Sequence, residues 1–168
     1  MEAVTNDQLA HRNSVRSRLA RLPLFVEGFC CLVFAKAAVK LLPFPWFMRK
    51  IAASSESAIQ EAHLEIVTSV GWAVATAARR LAPWAVCLPQ AIAGHWMLRR
   101  RGIASAVCFG VGRDESARFR SHAWLRTADR VVLGEKVMPA FTPIAEYPPG
   151  LPERGKACEC ANHEDRNS

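Results

Sequence analysis

The stretch LAPWAVCLPQAIAGHWMLRRRGIASAVCFGV, Leu81 to Val111, contains a change of period that decides the fold. Pro83 stops the segment before it, and Pro89 is acceptable in a first helical turn. A helix is therefore predicted from about Leu88 to Arg101, closed by Gly102 in the left-handed conformation. From Ile103 the period becomes two. Ile103, Ser105, Val107, Phe109 and Val111 face one side, while Ala104, Ala106, Cys108 and Gly110 face the other, as in a strand packed closely on both faces. A cysteine, Cys87, thus stands immediately before a helix, and a sheet begins directly after that helix.

Downstream, Gly112 to Arg118 reads as a loop. Phe119 to Thr127 and Arg130 to Val137 read as two short strands joined at Ala128 and Asp129 in a hairpin. Phe141 to Tyr147 adds a strand that Pro143 confines to the sheet edge. Upstream of Leu81, a Ser-rich connector (Ser54 to Ser57) leads into apolar residues at Ile59, Ala62, Ile66, Val67, Val70, Val74, Ala77, Ala78 and Leu81, the spacing of an amphipathic helix. Earlier still, Thr5 and Gln8 have the spacing of a capping box at the start of a polar, basic helix. Pro23 then opens the apolar stretch Leu22 to Leu42, which Pro43 and Pro45 close. Helices first and an antiparallel sheet last make an α+β fold.

The apolar stretch is long enough to cross a membrane, but it carries Glu27, Lys36 and Lys40. Each charge near a bilayer centre costs about 2.5 to 3.5 kcal/mol on insertion scales. A buried or membrane-grazing helix is expected in preference to a span. The chain has 168 residues and a net charge of +7, enough for one domain with a core. Its arginines are spread over several elements without interleaved exposed aromatics, so nucleic acid is not an expected partner. The six cysteines include adjacent Cys30 and Cys31, a poor disulfide framework, and no secretory signal is evident, which points to a reducing cytoplasm. Cys158, Cys160 and His163 lack the fourth ligand and fixed framework of a structural zinc site and read as solvated tail residues.

Cys87 carries the chemistry. At a helix start, unpaired N–H groups and the positive dipole end favour a thiolate and can donate to an oxyanion. His122 lies on a strand in Ser-His-Ala-Trp-Leu, sharing a face with Trp124 and Arg126, and is the candidate base. Hairpin register around Asp129 places Glu135 or Lys136 opposite His122, which makes Glu135 the candidate that orients the imidazole. Asp129 itself is out of reach, some seven residues away at about 3.3 Å each.

The segments Leu81-Ala-Pro-Trp-Ala-Val-Cys-Leu-Pro-Gln-Ala, Leu98-Arg-Arg-Arg-Gly-Ile, Phe109-Gly-Val-Gly, Ser121-His-Ala-Trp-Leu and Arg130-Val-Val-Leu-Gly-Glu135, in this order and spacing, resemble the B2 proteins of lasso-peptide biosynthesis. These are transglutaminase-like cysteine proteases on a papain-like scaffold. The resemblance is close from about Leu81 to Glu135, and Leu41-Leu-Pro-Phe resembles the family's helical N-terminal part. It implies a bacterial enzyme that removes the leader from a ribosomally made precursor peptide, with the motif cysteine on Cys87 and its histidine on His122. The family's third residue, typically Asp, falls here on Gly134, with Glu135 next to it. The pattern along the chain divides it into a helical N-terminal region over residues 1–53, a transglutaminase-like peptidase core over 54–148 and, beyond Pro148 where the chain is proline-rich and then charged, a flexible tail over 149–168. No strand-rich recognition module is visible before Leu81, so a separate leader-recognition protein is implied, together with an ATP-dependent lasso cyclase. The chemistry requires no metal or other cofactor, and the chain has no Gly-rich phosphate loop of its own. Two rival readings keep the same residues: acyl transfer to an amine by the Cys-His pair, and a catalytically silent protein that binds a peptide or a membrane surface.

Overall fold

The computed structural model describes residues 3–43, 48–49, 64–82, 86–114, 116–128 and 130–151, with side chains from residue 21 onward. Among the described residues three long helices, α1 (Ala3–Leu41), α2 (Leu64–Arg80) and α3 (Cys87–Arg99), precede four strands, β1 (Ala106–Arg113), β2 (Phe119–Arg126), β3 (Val131–Leu133) and β4 (Thr142–Tyr147). A 3₁₀ turn at Met138–Ala140 joins the last two strands. The sheet has the order β3-β2-β1-β4 with every neighbouring pair antiparallel. This is the expected α+β architecture, with β4 and its Pro143 at the edge.

The core lies between the helices and one face of the sheet. Val70 and Val74 of α2, Ile92 and Leu98 of α3, and Val107, Leu125 and Leu133 of the sheet are buried together, and Leu32 and Ala35 of α1 join them. Gly94 is what lets α3 approach: a Cβ there would lie 2.5 Å from Leu125 Cδ2 and 2.9 Å from Leu133 Cδ1. The opposite face of the sheet carries a smaller cluster of Cys108 and Trp124, flanked by Val131, Met138 and Phe141. Alternation along β1 and β2 therefore sorts the residues as the sequence predicts.

Several boundaries differ from expectation. α1 is one continuous helix, so Thr5 lies inside it rather than at its cap, and Pro23 lies inside it as well. An interior proline costs about 3 kcal/mol, but Pro23 is exposed, and on the solvent side water can replace the lost backbone bond. β1 starts three residues later than Ile103. The chain first closes α3 with bonds from Gly102 N–H to the Arg99 carbonyl (2.9 Å) and from Ile103 N–H to the Leu98 carbonyl (3.0 Å). That closure needs the φ of +72° at Gly102. β3 ends at Leu133, not Val137, because Gly134 takes a φ of +87° and its carbonyl accepts from the N–H groups of Val137 and Met138 at 3.2 Å each. The connector at residues 54–57, the region boundary at 53/54, Asp129, and the tail beyond residue 151 with Cys158, Cys160 and His163 lie outside the described residues.

Candidate active site

Cys87 is the first residue of α3, half-buried and a free thiol. Val86 before it is extended (φ −71°, ψ 167°), exposed, and makes no side-chain capping bond. The first-turn N–H groups of α3 thus have no capping side chain, the arrangement that suits an anion or a developing oxyanion. Pro89 is buried in that first turn and removes one donor that the helix would leave unpaired.

His122 sits in β2, opposite Gly110 of β1. Its ring stacks on Trp124 at 6.1 Å between centroids with a 24° interplanar angle, and it tilts against Phe141 at 5.1 Å. Trp124 in turn fills the space above Gly110, where a Cβ would come within 2.8 Å of the indole. Burial pushes the pKa of His122 down, and a hydrogen bond with the Gly134 backbone partly opposes that shift. The imidazole is therefore biased toward its neutral form, the form that accepts a proton. Its Nε2 is buried with no hydrogen-bond partner.

Gly134 packs directly against that nitrogen, with a built Cβ only 3.0 Å from it. The residue that adjoins the histidine in this fold is therefore a glycine. Glu135 is exposed in the turn that follows, beyond the last β2–β3 pair, Leu125 with Leu133. The structure brings Gly134 to His122 and does not bring the Glu135 carboxylate to Nε2.

α3 packs on the sheet face that carries Leu125, where Gly94 lies against it. The imidazole shares the opposite face, that of Trp124, and among the described residues no hydrogen bond joins it to the Cys87 thiol. A cavity of about 680 Å³ opens elsewhere, lined by Cys31, Phe34, Trp96, Arg99 and Arg100.

Sequence reasoning missed three features. Phe141 was read only as the start of a strand, yet it is a ring neighbour of His122. His95 is buried, with Nδ1 3.0 Å from Ser105 Oγ, a pairing across ten residues that no local pattern marks. Burial pushes its pKa down to about 4. Arg126 and Glu146 form a buried pair at 2.7 Å that also holds the Leu151 carbonyl and N–H; nothing in the local pattern marked these two as partners. No group of three or more metal-binding side chains occurs among the described residues.

No curated protein and no solved structure matches this chain. The family model of the transglutaminase-like superfamily matches residues 30–146, more than two thirds of the chain, and covers α1 from Cys30 onward, both later helices and nearly all of the sheet. That superfamily is typically a cysteine peptidase or acyltransferase fold. With a cysteine opening α3, a histidine on β2, an α+β frame and a family match over residues 30–146, the chain belongs to the transglutaminase-like superfamily.

Proposed function

We propose that this protein is a cysteine peptidase that removes the leader from a ribosomally made precursor during lasso-peptide maturation, in the bacterial cytoplasm. The observation that carries the reading is the uncapped start of α3 at Cys87, in a chain whose β2 carries the half-buried, neutral-biased imidazole of His122. Its specificity for a lasso leader rests on the sequence resemblance between Leu81 and Glu135.

In the proposed reaction His122 takes the Cys87 thiol proton, and the sulfur attacks the carbonyl carbon at the leader–core junction. The first-turn N–H groups of α3 receive the oxyanion. The C–N bond then breaks as His122 returns the proton to the leaving core amine, and the leader remains as a thioester. Water, deprotonated by His122, attacks the thioester, and the thiol is regenerated with release of the leader acid. The reaction requires that the imidazole, on the face of β2 opposite to α3 in the free protein, be brought to the thiol when substrate binds. A separate leader-recognition protein would present the precursor, and an ATP-dependent cyclase would consume the freed amine.

Mass spectrometry of a precursor incubated with this protein and the leader-recognition protein tests the proposal. A leader ending in a free acid, formed by wild type and not by Cys87→Ala, supports it. A leader joined to an added amine supports acyl transfer instead, which the superfamily also hosts. No product despite confirmed leader binding supports a silent binding protein.

A further inference from the structure

α1 has two different sides between Arg21 and Leu41. One side is spent on the protein: Leu32 and Ala35 are buried, and Gly28 lies against Ala73 of α2, where a Cβ would be 3.3 Å from the backbone. The other side is apolar and exposed. Leu22, Val26, Cys30, Val33, Phe34 and Leu41 recur at helical three-and-four spacing and all face out, with Phe34 69% and Leu41 77% accessible. The segment has a mean hydropathy of 1.9, yet only 17% of it is buried. Its apolarity is therefore not explained by the core that the described residues form, and a stripe about 30 Å long is more than scattered surface hydrophobes.

The charges of the segment are basic apart from Glu27. Arg21 and Lys40 mark its two ends, with Lys36 between them. The one acid in the segment, Glu27, is held by Arg101 at 2.6 Å and by Arg100 at 3.3 Å, and these guanidinium groups pull its pKa down. Arg99 and Arg100 are exposed beside Phe34 and Trp96 at the cavity between α1 and α3. Arg21 also lies 5.4 Å from the centre of the Trp72 ring, and Trp72 is itself partly exposed, a pairing of aromatic and cation suited to a headgroup layer.

We propose that the outward face of α1 docks on an anionic bilayer surface, with Leu22, Val26, Val33, Phe34 and Leu41 entering the acyl boundary and the flanking arginines and lysines meeting lipid phosphates. The helix lies in the plane of the interface and does not cross it, because its inner side is already committed to α2 and α3. A second copy of the chain is a poorer occupant, since it would set a basic rim against an identical basic rim in a protein of net charge +7. Docking there would hold the enzyme at the membrane with the Cys87 end of α3 available to a peptide.

Sedimentation of the full-length protein with phosphatidylcholine vesicles, with and without phosphatidylglycerol, tests the proposal. Expected is binding to the anionic vesicles that weakens as salt is raised. It should fall about tenfold in Phe34→Asp, with a comparable loss in Arg99→Glu/Arg100→Glu. Phe34 is exposed, so its variant should keep the wild-type circular dichroism and melting temperature, which confirms that lost binding is not lost folding. Absence of vesicle binding by wild type, or equal binding by Phe34→Asp, overturns the proposal. So does a dimer that Phe34→Asp dissociates without any vesicle binding, or a Phe34→Asp defect confined to the leader-recognition protein.

Discussion

The imidazole Nε2 of His122 rests against Gly134, at a distance that leaves no room for a side chain there: a Cβ on Gly134 would lie 3.0 Å from the nitrogen and 2.8 Å from Trp124 Cβ. The residue beside the histidine positions it by being small, and the closeness of its backbone partly offsets the effect of burial.

Gly134→Ala should therefore damage the site. The backbone is held at a φ of +87°, and strain at such a position is roughly 1 to 3 kcal/mol for a residue with a Cβ. Thermal unfolding should show that loss. Peptide-cleavage kinetics should show a fall mainly in kcat, because the displaced group is the base and not a binding contact.

Glu135→Ala should behave differently. Its side chain is exposed and lies past the end of β3, so stability should change by no more than about 0.5 kcal/mol and cleavage should largely survive. A loss of roughly a hundredfold would instead identify Glu135 as the group that orients His122 in the substrate complex. Steady-state rates of the variant decide between these.

Much of this was legible in the sequence. The switch from helical to alternating spacing after Gly102, the hairpin about Asp129 and the edge position forced by Pro143 each rest on a local rule, and α3, the β2–β3 hairpin and β4 follow them. So does the sorting of His122 and Trp124 to one face, with Ala123 and Leu125 on the other. What was not legible depends on long-range contact. The early end of β3 follows from backbone bonds of Gly134, and Arg126 and Glu146 meet only because β4 pairs with β1 and so reaches Arg126 on the next strand. The continuity of α1 through Pro23 likewise escapes a rule that treats proline as a stop.

The buried pair gives a third prediction. Arg126 and Glu146 side chains are only 3% and 10% exposed, so Arg126→Met would leave a buried carboxylate without its guanidinium. Breaking such a pair costs about 3 to 5 kcal/mol. Urea denaturation should show a lowered midpoint, and Arg126→Met/Glu146→Leu should recover part of it.

His95 adds a dependence on pH. It is 1% exposed, and burial lowers its pKa from 6.5 to about 4. Above pH 6.5 the group is neutral in both folded and unfolded chains and costs nothing. As pH falls toward 4 the unfolded chain takes up the proton first, so stability is lost across that window by about 3 kcal/mol. The difference in unfolding free energy between wild type and His95→Phe, followed from pH 7 to pH 4, should change in the direction that favours the variant as the solution becomes more acidic.

The central claim is that Cys87 attacks a peptide carbonyl with His122 as its base. A synthetic leader peptide ending in a chloromethyl ketone, presented with the leader-recognition protein, tests it most directly by intact mass and peptide mapping. The account predicts one adduct, on Cys87, formed at least about a hundredfold more slowly in His122→Ala. An adduct on Cys30, Cys31 or Cys108, or an unchanged rate in His122→Ala, would contradict it.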